Sequence, residues 1–279
     1  MSYRIVIDSC GELTEEMKKS GRFTSAPLTL QVDEHTVVDD ETFDQANFLK
    51  RVAASPNCPK SSCPSPEAYR DAFDCGVDHA YAVTLSAELS GSYNSAMLGK
   101  NLYLEQQPEA KVYVFNSRSA SVGETLIGLK IQECEEAGMS FEQVVETVEA
   151  YIAGQNTWFV LENLETLRKN GRLSTVKAMV ASALKIKPVM GATPEGTIIQ
   201  LGQARGINRA VMQMVELTAA KVERPEEKIL AVSHCNCPER AKMVKDALAQ
   251  KAGFKDIIVL DTAGVSSMYA NDGGVIVVV

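Results

Sequence analysis

The stretch Ala82-Val83-Thr84-Leu85-Ser86-Ala87-Glu88-Leu89-Ser90-Gly91-Ser92-Tyr93-Asn94-Ser95 leads from an apolar run into a turn rich in serine. Its first four residues are typical of a strand that is covered on both faces, and a helical pattern starts near Tyr93. A strand that turns directly into a helix is the repeating unit of a doubly wound α/β sheet, whose ligands bind at the carboxyl ends of the strands. We therefore expect the serines after Leu85 to face a ligand crevice.

The same alternation of strands and helices extends over about the first half of the chain. Further β-branched runs in this half are Ile5-Val6-Ile7 and Val112-Tyr113-Val114-Phe115, and similar runs later in the chain are Phe159-Val160-Leu161, Ile229-Leu230-Ala231-Val232 and Ile257-Ile258-Val259-Leu260. Ser65, followed by Pro66, is a predicted helix N-cap, and Ser140 forms a predicted capping box with Gln143. The pattern predicts an α/β fold with a doubly wound, mainly parallel sheet domain.

The second part of the chain has a mixed order of elements. An apolar helix is predicted over residues 176–184, followed by strands over 187–191 and 197–201. Pro194-Glu195-Gly196 between these strands is typical of a hairpin turn. We predict an N-terminal domain over residues 1–155 and a C-terminal α+β domain over residues 156–279 that closes over the ligand.

Composition and charge restrict the class of protein. The chain has 279 residues and a net charge of −8, which argues against nucleic-acid binding and against binding to anionic membranes. No apolar run approaches the ~20 residues of a transmembrane helix, and the N-terminus does not resemble a signal peptide. The seven cysteines are scattered and odd in number, which favours reduced thiols and a cytoplasmic location.

A second hydroxyl-rich segment, Pro59-Lys60-Ser61-Ser62-Cys63-Pro64-Ser65-Pro66, also runs into a predicted helix start. Hydroxyls and free N–H groups at helix N-termini are well suited to holding an anionic oxygen. Two such segments in one domain favour an anion site, although each is equally typical of a loop that ends in a helix cap.

A catalytic alternative treats Ser90 as a nucleophile. The nucleophile elbow has the pattern Gly-x-Ser-x-Gly, and the first glycine is missing here. None of the three histidines, His35, His79 and His234, is placed by the sequence as a base for Ser90.

The sequence also gives little support for a metal or cofactor site. The segment Cys235-Asn236-Cys237 has no second pair of ligands at the spacing of a zinc site, and the glycine patterns of nucleotide-binding loops are missing. We predict no metal and no cofactor. Arg172 and Arg205 are either solvated or in contact with a ligand or partner.

Several ordered motifs together resemble the DegV family over nearly the whole chain. They are Asp8-Ser9, Ala26-Pro27-Leu28, Val38-Asp39-Asp40, Lys60-Ser61-Ser62-Cys63-Pro64-Ser65, Leu89-Ser90-Gly91-Ser92-Tyr93, Asn116-Ser117, Leu161-Glu162-Asn163-Leu164, Gly171-Arg172-Leu173-Ser174 and Ile186-Lys187-Pro188. Serine replaces the family's threonine at positions 61 and 92. The chain departs from the family's His-x-Gly-Pro-Gly motif, with Ala270 at the histidine and Asp272-Gly273-Gly274 after it.

The resemblance implies a two-domain carrier that binds one long-chain fatty acid in an apolar tunnel between its domains and has no catalysis of its own. Its carboxylate would be held at Ser61, Ser62, Ser90 and Gly91, and a separate fatty-acid kinase is the implied partner. Arg172, Arg205, Tyr93 and Asn94 are further candidates for contact with ligand or partner. The candidates for the tunnel lining are Phe159, Leu161, Leu164 and the apolar face of residues 176–184, and the alternative for most of them is plain core packing. The alternatives are a serine esterase or acyl-transfer enzyme using Ser90, and an interaction protein with a vestigial pocket.

Overall fold

The computed structural model of the protein describes residues 1–173 and 185–279. The strands of the described residues are β1 (Tyr3–Asp8), β2 (Phe23–Ala26), β3 (Thr29–Val32), β4 (His35–Val38), β5 (Lys60–Ser62), β6 (His79–Thr84), β7 (Lys111–Asn116), β8 (Thr157–Val160), β9 (Ile186–Ala192), β10 (Ile198–Arg205), β11 (Ile229–His234), β12 (Asp256–Asp261) and β13 (Val275–Val278). The helices are α1 (Glu15–Lys19), α2 (Gln45–Ala54), α3 (Pro66–Phe73), α4 (Ser92–Gln106), α5 (Val122–Glu136), α6 (Phe141–Gly154), α7 (Glu165–Lys169), α8 (Ile207–Lys221), α9 (Pro238–Lys251) and α10 (Gly264–Ala270).

A parallel four-stranded sheet with the order β2-β1-β6-β7 forms the first layer. Along β1, Ile5 and Ile7 pack against α5 and α6, whereas Val6 faces α3 and α4 on the opposite side. Because both faces are covered by helices, the strands are apolar throughout rather than alternating. The prediction of a doubly wound parallel sheet is confirmed.

A small antiparallel sheet with the order β4-β3-β5 stands beside this layer and was not expected from the sequence. Its strand β5 lies within the first hydroxyl segment and pairs Ser61 with Leu30 of β3. The prediction that this segment runs into a helix is correct for Ser65, which caps α3 by accepting the N–H of Ala68. It is wrong for Ser61 itself, which is a strand residue and not part of a helix N-terminus.

A mixed six-stranded sheet with the order β10-β9-β8-β13-β11-β12 contains every described strand from Thr157 onward. Its outer face is packed by α8 and α9 through Val211, Met214 and Val244. The hairpin turn predicted around Pro194 joins the antiparallel strands β9 and β10. The helix predicted over residues 176–184 lies outside the described residues, and the boundary between residues 155 and 156 stays a prediction.

The two sheets are joined by shared packing and by hydrogen bonds. Helix α10 inserts Val265 and Met268 among Leu30 of the small antiparallel sheet, Phe48 of α2 and Leu85 at the end of β6. Asp39 accepts the N–H groups of Gly264 and Val265 at 2.6 and 2.8 Å, which satisfies free donors at the start of α10. Among the described helices, none is long and apolar enough to span a bilayer.

Candidate functional site

A cavity lies between the carboxyl edge of the parallel sheet and the inner face of the six-stranded sheet. Residues that follow β1, β6 and β7 form one wall, among them Cys10, Leu85 and Ser119. The opposite wall consists of residues of β8, β9, β13 and α10, among them Phe159 and Ile276. The cavity therefore occupies the edge of the parallel sheet at which a doubly wound fold binds its ligands.

The alternation of side chains along β8 builds the apolar wall. Thr157, Phe159 and Leu161 point into the cavity, whereas Trp158 and Val160 belong to the core under α8 and α9. Successive residues of a strand face opposite sides of the sheet, so one strand serves both the core and the cavity. Strand β13 repeats the arrangement, with Ile276 at the cavity and Val275 and Val277 in the core.

The predicted lining residues are therefore correct in part. Phe159 and Leu161 line the cavity, whereas Leu164 packs in the cluster behind that wall, beside Leu161 and Leu167. Leu167 itself reaches the cavity and was not predicted. Residues 176–184, the remaining predicted lining, lie outside the described part of the chain.

Polar groups gather at the end of the cavity near Tyr269. The hydroxyl oxygens of Tyr269 and Ser61 are 3.1 Å apart, and the guanidinium carbon of Arg172 lies 5.9 Å from the centroid of the Tyr269 ring. Nε of Arg172 donates to the carbonyl of Leu89 at 3.0 Å, which ties this arginine to the residue before Ser90. A positive charge and several hydroxyls thus meet at one end of an apolar cavity.

The two hydroxyl segments touch each other near this end. The hydroxyl of Ser95 donates to the carbonyl of Pro64 at 2.6 Å. At Gly91 an added Cβ would lie only 3.3 Å from Sγ of Cys63, so a side chain there would press on the first segment. The hydroxyl of Ser90 accepts the N–H of Ser92 at 3.2 Å and helps to start α4.

Of the remaining predicted site residues, some lie at the cavity and others do not. Arg172 lines the cavity, whereas Arg205 is exposed on β10 and does not. Tyr93 packs against the core beneath α4, and Asn94 and Ser62 are exposed. Tyr269 was missed because its polar partner Ser61 is 208 residues away. Its only sequence signal is its place in the segment that departs from the family's C-terminal motif.

Buried carboxyl groups lie beside the cavity near Cys10. Burial raises the pKa of Asp8 to about 6, although the N–H groups of Cys10 and Leu85 donate to this carboxylate at 3.1 and 2.9 Å. Burial raises the pKa of Glu12 to about 7, against the opposing effect of its hydrogen bond from Ser121. The cluster therefore holds protons in the neutral pH range.

Glu124 completes this cluster. If Glu124 were ionised, neither of its carboxylate oxygens would find a donor among the described residues. Burial, followed by the charge of Asp8, raises the pKa of Glu124 well above its ordinary value, so the protonated form of this group is favoured. Asp8, Cys10 and Glu124 offer ligand atoms that lie within 4.8 Å of one another, and all three residues are buried.

The described contacts of Ser90 and of the histidines test whether Ser90 has a histidine as its catalytic base. The hydroxyl of Ser90 contacts Ser92, while Nδ1 of His79 lies 2.7 Å from Glu135 and Nδ1 of His234 lies 3.3 Å from Asp261. His35 is exposed on β4. Within residues 1–173 and 185–279, no histidine contacts Ser90.

Both cysteines of the pair after β11 contact backbone carbonyl groups of the protein. Sγ of Cys235 contacts the carbonyl of Ser267 at 3.9 Å, and Sγ of Cys237 contacts the carbonyl of Gly274 at 3.5 Å. All seven cysteines of the chain are free thiols.

Known proteins resemble this chain over nearly its whole length. A family model described as "Uncharacterised protein, DegV family" matches residues 2–279. The chain belongs to the DegV family. The resemblance inferred from the motifs and the two-domain α/β fold expected from it are both confirmed.

Solved DegV structures are similar over the full length. A DegV-family protein from Ruminococcus gnavus ATCC 29149, refined with vaccenic acid, is 55% identical, with a TM-score of 0.98 over 100% of both chains. One from Eubacterium eligens, loaded with heptadecanoic acid, is 30% identical, with a TM-score of 0.89 over 99% of each chain. The Streptococcus pneumoniae Fatty Acid Kinase (Fak) B3 protein, loaded with linoleic acid, is 31% identical, with a TM-score of 0.85 over 100% of this chain and 99% of that one.

Proposed function

We propose that this DegV protein binds one long-chain fatty acid in the cavity, with the carboxylate at the end near Ser61 and Tyr269. One observation carries the proposal: a single cavity has both an apolar wall and a polar end. The wall is formed along β8 and β13, and the polar end holds hydroxyl groups and Arg172. A DegV relative that is 55% identical holds vaccenic acid, which has this combination of an apolar chain and an anionic head.

The energetics favour an acyl chain in such a cavity. Burying ~14 methylene groups at ~0.8 kcal/mol each offers about 11 kcal/mol before the costs of ordering and association. The head group therefore needs only to avoid an unpaired charge. Hydrogen bonds from Ser61, Ser90 and Tyr269, with the charge of Arg172 nearby, meet that need.

We further propose that the protein is a cytoplasmic carrier that presents its fatty acid to a separate kinase. The relative named Fatty Acid Kinase (Fak) B3 supports this role. Ser61 and Ser90 are only partly buried, so a carboxylate held between them lies close to the surface. A kinase that phosphorylates the carboxylate requires such access.

Lipid extraction tests the binding function. Mass spectrometry of lipid extracted from the purified protein is expected to detect a long-chain fatty acid. The double variant Ser61→Ala with Ser90→Ala is expected to bind a fluorescent fatty acid about tenfold more weakly, because it loses two donors to a charged group. Ser62→Ala removes an exposed neighbouring hydroxyl and serves as the control. If extracts contain no fatty acid and the protein takes up neither oleate nor palmitate, the proposal is wrong.

A reconstituted reaction tests the carrier role. Purified bacterial fatty-acid kinase, ATP and the palmitate-loaded protein are mixed, and acyl phosphate is trapped with hydroxylamine. Product that depends on the loaded protein supports the role. If palmitate binds but no tested kinase accepts it, the result supports the binding function and contradicts the carrier role.

A further inference from the structure

The cavity has a second polar end, at the opposite extreme of β8 from Tyr269. Leu161, just after β8, packs in one cluster with Leu167, Ala270 and Tyr269, near the carboxylate end. Thr157, the first residue of β8, lies about 13 Å away, at four steps of ~3.3 Å along a strand. The two ends of β8 therefore mark the two ends of the cavity.

A hydrogen bond between hydroxyl groups closes this far end. Oγ of Ser119, in the loop after β7, lies 2.7 Å from Oγ1 of Thr157. Both residues line the cavity, at the place where the methyl end of a simple fatty acid would lie. An apolar tail gains nothing from two hydroxyls, whereas a terminal hydroxyl can join this pair.

Behind this hydroxyl pair lies a second, polar pocket that shares part of the same wall. Arg118, Ser119, Thr157 and Ala192 line both cavities. The polar pocket has a volume of about 670 Å³ and lies against the linker between α6 and β8 and the end of α8. The tail end of the first cavity therefore adjoins polar space rather than the protein core.

The charged residues of the polar pocket are mainly basic, although the chain as a whole is acidic. Arg118, Lys221 and Lys228 line it, with Glu223 as the acidic residue. Within the described ranges, neither Lys221 nor Lys228 forms an ion pair. Arg118 lies 3.9 Å from Glu149, with both side chains partly exposed, which is a weak contact. The pocket thus offers hydrogen-bond donors and positive charge to a group arriving from the tunnel.

We propose that this end is a second subsite, which takes the ω end of a long-chain fatty acid carrying an oxygen there, as a hydroxyl or a carboxylate. The inference rests on the proposed function, because it places the first carboxylate at Ser61 and Tyr269. The hydroxyls of Ser119 and Thr157 receive an ω-hydroxyl. A longer or ionised ω end reaches the basic pocket behind them.

Competition binding against a fluorescent fatty acid tests the subsite with two probes, palmitate and ω-hydroxypalmitate. The unmodified protein is expected to bind both within about threefold, since the buried ω-hydroxyl finds partners. The double variant Ser119→Ala with Thr157→Val is expected to lose about tenfold more affinity for ω-hydroxypalmitate than for palmitate, because the ω-hydroxyl is then buried without a partner. Palmitate binding also reports whether the variant is folded.

Each outcome separates the two proposals. If the unmodified protein binds palmitate but rejects ω-hydroxypalmitate as strongly as the double variant does, the subsite is overturned and the proposed function stands. If it binds neither acid, the proposed function is overturned and the subsite with it.

A dicarboxylic probe tests the basic pocket separately. The α,ω-dicarboxylic counterpart of palmitate is expected to bind the variant Lys221→Gln with Lys228→Gln at least threefold more weakly, with palmitate binding unchanged. Lys245→Gln, on the exposed side of α9, is the matched control. Equal affinities of the dicarboxylic acid for the three proteins would overturn the role of the lysines.

Discussion

The hydroxyl of Tyr269 lies 3.1 Å from the hydroxyl of Ser61, across 208 residues of sequence. The contact joins α10, which lies between strands β12 and β13 of the six-stranded sheet, to β5 of the small antiparallel sheet. It lies where the chain departs from the family's histidine motif, with Ala270 at the histidine position. A phenol hydroxyl that can either donate or accept is therefore available at the proposed carboxylate end.

Removing this hydroxyl is expected to weaken fatty-acid binding without unfolding the protein. Tyr269→Phe keeps the ring under Arg172 but loses a donor to a charged group, which corresponds to about tenfold in Kd. Titration with a fluorescent fatty acid measures the change. Tyr103→Phe, in the core away from the cavity, is the control and should bind normally. Equal affinities of Tyr269→Phe and the unmodified protein would remove Tyr269 from the site.

Two neighbouring residues of β13 should separate binding from stability. Val277→Ala empties part of a fully buried core and is expected to lower the free energy of unfolding by about 2 kcal/mol. Ile276→Ala, on the cavity face, is expected to weaken fatty-acid binding about tenfold, because several methylene contacts are lost.

Urea unfolding of the ligand-free variants and fatty-acid titration together check this pair. The expected result is a larger stability loss for Val277→Ala and a larger affinity loss for Ile276→Ala. The reverse order would mean that the cavity face of β13 is part of the core rather than of a ligand site.

Gly196, in the turn between β9 and β10, is expected to tolerate no side chain. Its φ is +95°, and an added Cβ would lie 2.3 Å from Oγ of Ser86 and 2.8 Å from Cα of Arg118. Gly196→Ala should lose about 3 kcal/mol or more, from backbone strain together with the clash. It should also break the 2.8 Å hydrogen bond from Ser86 to the Gly196 carbonyl.

Gly138→Ala is the matched control for this prediction. Its φ is +75°, but no atom lies within 4 Å of the added Cβ, so only strain of about 1 kcal/mol is expected. Thermal or urea unfolding compares the two variants. Equal losses would show that the clash at Gly196 is relieved by movement of the turn.

Stability is expected to fall as the pH rises from about 4.5 to 8. The pKa values of Asp8 and Glu12 are raised by burial to about 6 and about 7, so the folded protein binds more protons than the unfolded chain in this window. Stability then decreases with pH until the folded pKa is passed, by on the order of 3 kcal/mol for each group.

Urea unfolding at a series of pH values measures this slope, and Glu124→Gln identifies its source. The substitution removes a buried carboxyl whose pKa is raised by burial and by the charge of Asp8, so the variant should show a flatter slope and greater stability near pH 8. A stability that rises with pH between 5 and 8 would contradict the assignment of protons to this cluster.

The parts of the fold that follow from local pattern were predictable. The strand before Ser86 and the helix after Gly91 follow from continuous apolar runs and turn residues, and their place at a sheet edge follows from the doubly wound topology. The alternation that sends Phe159 and Leu161 into the cavity also follows once β8 is a strand.

The remainder depends on contacts between distant segments. Strand β5 has only three residues, two of them serines, so it has no apolar alternation to reveal it. Its structure comes from pairing with β3, some thirty residues earlier. The contact of Tyr269 with Ser61 and the proximity of the buried carboxyl groups of Asp8 and Glu124 likewise arise only when remote elements are packed together.

The two faces of β8 have a consequence for divergence within the family. Trp158 and Val160 maintain the core, whereas Thr157, Phe159 and Leu161 contact the cavity. A lineage can therefore exchange the odd-numbered residues and acquire a new acyl preference while the fold keeps its stability. Natural variation in ligand choice should accordingly concentrate at every second position of this strand.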